Sequence, residues 1–204
     1  MFVIIMAGGK GTRLNMGEKP LVSILHRPLL EWALHACQRA EFPFLIATSI
    51  HTPYTANYCR SHGYPQFQTQ GNGYVSDLME VLAEVDITGP VMTIVSDLVG
   101  LHGSHLQAVE KEYMRAGSEA CSVWVPQHVC IEHGFSYSYT EIENGVQIVP
   151  AGVNVLEGSA YFREQNEFRF IIDDPRFVCN INTPSDLISA EHFLESFDSE
   201  EYFI

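Results

Sequence analysis

The stretch Ile5-Met6-Ala7-Gly8-Gly9-Lys10-Gly11-Thr12-Arg13-Leu14, continued by Gly17-Glu18-Lys19-Pro20-Leu21, governs the reading of all that follows it. The apolar run Phe2 to Met6 has the length and composition of a buried strand, and it empties into a glycine-rich, cationic loop. Gly8, Gly9 and Gly11 carry no side chain, so their backbone N–H groups can approach an anion closely and take positive φ at little cost. Lys10, Arg13 and Lys19 add positive charge at the same place. The chain has three lysines and two of them lie here, although the formal net charge is −14. Such a cationic island in an acidic protein reads as a triphosphate cradle rather than as solubilising charge.

The loop departs from the better-known phosphate motifs. A Walker A loop requires Gly-Lys followed by Ser or Thr, whereas Gly9-Lys10 runs into Gly11. The dinucleotide fingerprint lacks its third glycine after Gly9-Lys10-Gly11. Ala-Gly-Gly, a few residues, Arg-Met/Leu and then Lys-Pro resembles the signature of the nucleotidyltransferase superfamily with a Rossmann-like fold. The competing reading is a glycine-rich strand–helix turn that holds no ligand.

Strand and helix signals alternate along the first two thirds. Apolar runs at 44–48, 64–69, 91–95 and 120–125 predict strands. Between them lie helical patterns: Pro28 opens one to about Arg39 with Leu30, Leu34 and Cys37 on one face. A second spans Tyr74 to Glu84 with Val75, Leu78, Met79 and Leu82, and a third spans 104–116 with Leu106, Val109 and Tyr113. This alternation predicts a three-layer αβα sandwich with a mainly parallel sheet and helices on both faces. Ligands of such sheets bind beyond the carboxyl ends of the strands, where both the first loop and Asp97 fall. The Tyr-, Ser- and Gly-rich stretch 134–149 reads as a β-excursion or lid over the site. Residues 150–156 and 177–181 read as further strands. Thr183 as N-cap, Pro184 at N1 and Asp186 at N3 start a last helix that runs to about Phe193. One domain over 1–194 is expected, followed by an acidic, frayed tail over 195–204.

Composition excludes several classes. At 204 residues the chain can bury one α/β core. No apolar run approaches a membrane span, and the first residues lack a basic-then-apolar signal pattern, so a cytoplasmic location without a membrane span is expected. The charge of −14 argues against nucleic acid as partner. Cys37, Cys59, Cys121, Cys130 and Cys179 form no CxxC pair, and Cys37, Cys121 and Cys179 read as core thiols of a reducing compartment. His102-Gly-Ser-His105 and Cys130-Ile-Glu-His133 have ligand spacing, but each lacks a matching half, so no zinc is expected.

Ile94-Val-Ser-Asp97-Leu puts a carboxylate at the end of a buried strand, where it must be hydrogen-bonded, paired or metal-bound. In phosphoryl-type transfer a hard cation bridges phosphate oxygens, and Mg²⁺ takes carboxylate and water ligands, so Asp97 is the natural anchor. The other reading of Asp97 is a helix cap. Superfamily members often place a second ligand at the strand end before the final helix, here Asn180-Ile-Asn182-Thr183. Asn180 and Asn182 either ligate the metal or cap the helix, and Asp173 and Asp174 stand in reserve.

Within the superfamily, the chain resembles the archaeal GTP:adenosylcobinamide-phosphate guanylyltransferases over nearly all of residues 1–194. The resemblance is carried by Met6 to Arg13, Glu18-Lys-Pro-Leu21, Ile46-Ala-Thr-Ser49 with Thr52-Pro53, and Gly71-Asn-Gly-Tyr74 with Asp77-Leu78. Ser96-Asp-Leu98, Pro150-Ala-Gly-Val-Asn-Val155 and Asn180-Ile-Asn-Thr183 complete it. The first motif is shared across the superfamily; Gly71-Asn-Gly-Tyr and Pro150-Ala-Gly-Val-Asn are more particular. Asn15 stands where glycine is usual, and Asn tolerates a left-handed conformation best among the other residues. Segment 127–147 does not align and is a candidate to shape the corrinoid side.

The resemblance implies transfer of GMP from GTP to adenosylcobinamide phosphate with release of pyrophosphate. The acceptor phosphate is already anionic, which agrees with the lack of an evident nucleophile–base pair. Backbone N–H groups of the loop Ala7 to Thr12, with Lys10 and Arg13, are then expected at the β- and γ-phosphates, and Lys19 at the α-phosphate. Thr48, Gly71 and Gly73 are expected to line the nucleoside pocket, Gly152 to let backbone close on ribose or base, and Asn154 to read a guanine edge. Molybdenum-cofactor guanylyltransferases and sugar-1-phosphate nucleotidyltransferases share the first loop, and a non-catalytic nucleotide sensor would keep the fold alone. Nothing in the sequence speaks against a homo-oligomer.

Overall fold

The computed structural model describes residues 1–9, 11–85 and 87–196. The expected strands become β1 (Phe2–Met6), β4 (Phe44–Ser49), β5 (Gln66–Thr69), β6 (Pro90–Val95) and β7 (Ala120–Pro126). Two short strands, β2 (Ser23–Ile24) and β3 (Arg27–Pro28), form a separate hairpin. The helices are α1 (Leu29–Arg39), α2 (Pro53–His62), α3 (Tyr74–Glu84), α4 (Gly103–Ala116), α5 (Gln127–His133) and α6 (Pro184–Ser196). β8 (Glu141–Glu143), β9 (Val146–Glu157) and β10 (Glu167–Ile171) complete the list. The main sheet runs β10-β7-β9-β6-β1-β4-β5, with β8 paired to β9. β1 pairs in parallel with both β4 and β6, whereas β9 is antiparallel to β6, β7 and β8.

β1 shows why both faces are covered. Val3 and Ile5 fall in one apolar cluster with α1 and α4, while Ile4 and Met6 fall in a second with Val81 and Leu82 of α3. Side chains alternate across a strand, so a run of four buried residues demands cover on both sides. The result is a mixed α/β sandwich with a mostly parallel central sheet, as the alternation predicts.

Several expectations change. Of the four apolar residues expected inward on α3, Leu82 is buried and Leu78 packs against the core, but Val75 and Met79 are 70% and 37% exposed and Asp77 and Val81 turn inward instead. Residues 177–181 make a single bridge, Leu98 to Asn180, after a 3-10 turn at Pro175–Phe177, and no strand. Segment 134–149 forms the expected β-excursion, with β8 and the start of β9, and its Ser136, Tyr137, Ser138 and Val149 border a smaller space that shares Asn182 with the main cavity. β10, whose Glu167-Phe168-Arg169-Phe170 alternates polar and apolar and which the expected strands omit, joins the sheet edge beside β7. The last helix continues to Ser196, two residues into the stretch expected as tail; the remainder of that tail lies outside the described residues.

All five cysteines are buried free thiols. Burial pushes the Cys37 thiol up to about 12 and those of Cys59, Cys121 and Cys130 to about 11, which makes them inert core groups. His105 Nδ1 accepts the His102 backbone N–H at 2.8 Å, so this histidine pair braces the start of α4. Among the described residues no three His, Cys, Asp or Glu side chains gather into a metal cluster.

Candidate active site

β1 and β6 are neighbours whose onward connections lead toward opposite edges of the sheet, β1 to β4 and β6 to β7, and the crevice this opens lies at their carboxyl ends. A cavity of about 550 Å³ fills it. The loop after β1 contributes Gly8, Gly9, Gly11, Thr12 and Arg13, and the following 3-10 turn contributes Lys19 and Pro20. His51 enters after β4, Gly71 to Tyr74 and Asp77 from the β5–α3 junction, Ser96 and Asp97 after β6, and Asn182 before α6. Lys10 lies outside the described residues. Ala7 is buried and extends the strand pairing through its N–H to Ala47, so it supports the loop without lining the cavity.

Lys19 is the hub. Its ammonium forms an ion pair with the Asp97 carboxylate and donates to Asn182 Oδ1 at 2.9 Å, joining three distant parts of the chain. Asp97 is only 9% exposed, so the pair sits where charge interactions exceed those of a surface pair. Two features set the lysine. Glu18 docks on the first turn of α2, where its carboxylate accepts from Tyr54 N (2.8 Å), Thr55 N (2.6 Å) and Thr55 Oγ1 (2.7 Å). These are donors that a helix start leaves unmet, and an anion there is favoured by the dipole. Gly11 has φ +59°, and a Cβ on it would lie 2.8 Å from Lys19 Cβ, so only glycine lets the loop fold against the lysine stem. Asn15 adopts φ +51°, the left-handed conformation expected of it.

On the opposite wall, Gly71 has φ +72°, and a Cβ there would come within 2.5 Å of the His51 ring. Asp77 is 6% exposed; its Oδ1 accepts the Asn72 N–H at 3.0 Å. The Tyr74 hydroxyl is 2.8 Å from Thr93 Oγ1 and accepts from Asn154 Nδ2 at 3.5 Å; burial raises its pKa above the ordinary phenol value.

Several expected residues stand elsewhere. Thr48 is fully buried and its hydroxyl donates to Gln66 Oε1 at 2.8 Å, because strand alternation turns it toward β5 and away from the cavity. Gly152 lies where β9 bulges against β7 and packs on Val95, so it shapes a cavity wall through that side chain. Asn154 lines no part of the cavity and braces Tyr74 instead. Asn180 borders a separate space of about 40 Å³, with its Oδ1 buried and unpartnered, whereas Asn182 reaches both spaces. The reserve acids have other partners: Asp173 lies 3.9 Å from His128, and Asp174 accepts from Arg176 N at 2.9 Å. Gly8, Gly9, Gly11, Thr12, Arg13, Lys19, Gly71, Gly73, Asp97 and Asn182 do converge. Glu18, His51, Asn72, Tyr74 and Asp77 were not assigned from sequence, although Gly71-Asn-Gly-Tyr74 and Asp77 belong to a motif that marks the place.

Asn182 is itself held. Its backbone N–H donates at 2.9 Å to Asp186, a fully buried carboxylate that also accepts from Thr183 and Ser136. The predicted Thr183–Asp186 helix start thus forms, and Thr183 Oγ1 accepts Asp186 N at 3.2 Å.

Comparison with known proteins agrees with this geometry. Residues 3–143 match the model of the MobA-like NTP transferase domain. An adenosylcobinamide-phosphate guanylyltransferase from Methanocaldococcus jannaschii is 32% identical over 208 aligned positions, covering 96% of this chain and 98% of that protein. Among solved structures, molybdopterin-guanine dinucleotide biosynthesis protein A from Archaeoglobus fulgidus superposes with a TM-score of 0.68 at 18% identity, covering 96% of this chain and 99% of that one. HddC from Yersinia pseudotuberculosis, complexed with GMP-PN, gives 0.68 at 15% identity, with 95% and 99% covered. At these identities the two structures speak for the fold alone. The full-length relative, the family match and the glycine loop closing on Lys19 together establish that the chain belongs to the MobA-like NTP transferase family of nucleotidyltransferases.

Proposed function

We propose that this enzyme transfers GMP from GTP to the terminal phosphate of adenosylcobinamide phosphate. An oxygen of the acceptor phosphate attacks the α-phosphorus of GTP, the α–β anhydride bond breaks, and pyrophosphate leaves. The observation that supports it most is the near full-length relationship to the guanylyltransferase of Methanocaldococcus jannaschii, joined to a cavity built around Lys19. The acceptor oxygen is anionic at neutral pH, so the chain has to position and neutralise rather than abstract a proton. Backbone N–H groups of Gly8, Gly9 and Gly11, with Arg13, face the β- and γ-phosphates in this reading, and Lys19 meets charge developing on the α-phosphate.

The Asp97 carboxylate and the Asn182 side-chain oxygen converge on one cation, the lysine ammonium. A carboxylate with a neutral oxygen beside it is the donor set that Mg²⁺ accepts, so these two residues would hold the ion, while Asn180 stands apart. Mg²⁺ bound there would supply neutralisation of phosphate charge. No described helix is long and apolar enough to cross a membrane, and the buried free thiols fit a cytoplasmic location.

Calorimetric titration with GTP, ATP and CTP, followed by pyrophosphate release with a panel of acceptors, tests the reading. GTP should bind at least tenfold more tightly than ATP, and adenosylcobinamide phosphate should be the acceptor that releases pyrophosphate. Equal purine affinities, or release with molybdopterin or a sugar 1-phosphate instead, would overturn the assignment within the family.

A further inference from the structure

We infer that Asp77 is the group that reads guanine, through paired acceptance of the base N1–H and 2-amino hydrogens; the inference rests on the guanylyl-transfer reading above. Two carboxylates line the cavity, and they differ in one respect. Asp97 is neutralised by Lys19. Asp77 is 6% exposed and receives, among the described residues, one hydrogen bond, from Asn72 N to Oδ1, with no cationic partner. A carboxylate has acceptor capacity for about four hydrogen bonds, and what Asn72 leaves unused at Asp77 is turned to the cavity that the residue lines. A ligand in the cavity is the means of completing it.

The chemistry selects the ligand edge. An ionised carboxylate only accepts, so it matches an edge with two adjacent donors. Guanine offers that edge, N1–H beside the 2-amino group. Adenine and cytosine present a ring-nitrogen lone pair beside their amine, which would meet carboxylate oxygen with repulsion. Xanthine and uracil flank a single N–H with carbonyl oxygens. Hypoxanthine keeps N1–H but lacks the 2-amino group. Asp77 therefore accepts guanine and rejects the other bases with an unpaired or repelled buried charge, the arrangement that gives the sharpest discrimination.

Position agrees with this role. Among the described residues, the cationic side chains Arg13 and Lys19 of the cavity come from the segment after β1, whereas Asp77 enters from α3 across the loop 70–73. A nucleotide with its phosphates on the first wall carries its base toward the second. The Asn72 N–H fixes the carboxylate, and the left-handed Gly71 seats that loop beneath His51. Asn154, the residue first expected to read the base, is occupied behind Tyr74.

The test is calorimetric titration of wild type and Asp77→Asn with GTP, ITP, XTP and ATP. Wild type should bind ITP roughly 10- to 100-fold more weakly than GTP, the worth of one charge-assisted hydrogen bond. Asp77→Asn keeps an acceptor for Asn72 and places an amide donor where xanthine has its 2-carbonyl, so GTP should lose about 100-fold and XTP should become the preferred ligand. Thermal unfolding establishes that the variant is folded, and the GTP–ITP contrast needs no variant at all. Wild type that binds ITP as tightly as GTP, or a folded Asp77→Asn protein that keeps its GTP preference, overturns the role of Asp77 while leaving guanylyl transfer standing. Wild type without preference for GTP over ATP overturns both.

Discussion

Asp186→Asn tests how the structure holds Asn182, and through it Lys19. The carboxylate is fully buried and accepts from Ser136 N (2.8 Å), Ser136 Oγ (2.7 Å), Asn182 N (2.9 Å), Thr183 N (2.7 Å) and Thr183 Oγ1 (2.9 Å). Burial alone pushes this carboxyl up, but the donors of Ser136, Thr183 and Asn182 outweigh it and hold the group below the ordinary aspartate value. An amide in its place has one acceptor oxygen and turns donor hydrogens toward donors. Each unmet buried donor costs about 1–3 kcal/mol, and disrupting a buried charge network costs ~3–5 kcal/mol, so about 4 kcal/mol is expected. At roughly 2–4 °C per kcal/mol for a chain of this size, the melting midpoint should fall by about 8–16 °C. The pH dependence follows from the depressed folded-state value. The unfolded carboxyl titrates near ~3.9 and the folded one lower, so the contribution is complete at neutral pH and lost as pH falls below about 4. Melts followed by circular dichroism from pH 3 to pH 7 should show the gap between wild type and variant closing at the acid end. A neutral-pH midpoint lowered by less than about 3 °C would refute the network account, given that expected cost. A gap that stays constant down to pH 3 would refute its ionic part.

Lys19→Ala should leave GTP affinity nearly unchanged in titration and lower turnover by about 10²- to 10³-fold in a pyrophosphate-release assay, because a contact that strengthens in the transition state is removed; weaker binding with normal turnover would make Lys19 a ground-state phosphate ligand. Asp97→Asn should abolish most turnover, with recovery only at greatly raised Mg²⁺, whereas full activity with unchanged metal dependence would remove Asp97 from the metal site. Gly11→Ala forces a side chain into φ +59° and against Lys19 Cβ at 2.8 Å, so stability should drop by ~1–2 kcal/mol in urea unfolding and turnover should fall with it; wild-type turnover would show that the loop need not close on the lysine.

Local pattern carried far because the decisive elements are local. The run Phe2–Met6 is apolar at every position, which a chain can satisfy only with cover on both faces, and that cover is present. The α3 helix has the expected bounds and keeps Leu78 and Leu82 on the core, but not Val75 and Met79. Val75 and Met79 fit the same apolar stripe as Leu78 and Leu82, and only the packing of Val81 beside Leu82 on Ile4 and Val91 decided that the stripe turns inward on its Val81 side. The single bridge at Asn180 escaped for the same reason, being fixed by Leu98 beside it and not by its own periodicity, whereas the alternation of β10 was legible in Glu167-Phe168-Arg169-Phe170.

By itself the sequence determined the glycine-rich loop after β1, the lysine after it and the carboxylate at the end of β6, since glycine, charge and strand length act within a few residues of one another. Only the tertiary structure decided what those groups meet. Lys19 and Asn182 touch although 163 positions separate them. Glu18 looks like an ordinary acidic residue until α2 arrives to supply its donors. Thr48 was a polar residue at a strand end and Asn154 one within a strand, and the alternation of the sheet and a hydroxyl on α3 assigned them elsewhere. Asp77 became a site residue because the helix that carries it closes over the carboxyl ends of the strands. Hydrogen bonds and charge act over a few ångströms in space, and the folded sheet alone sets which residues lie that near.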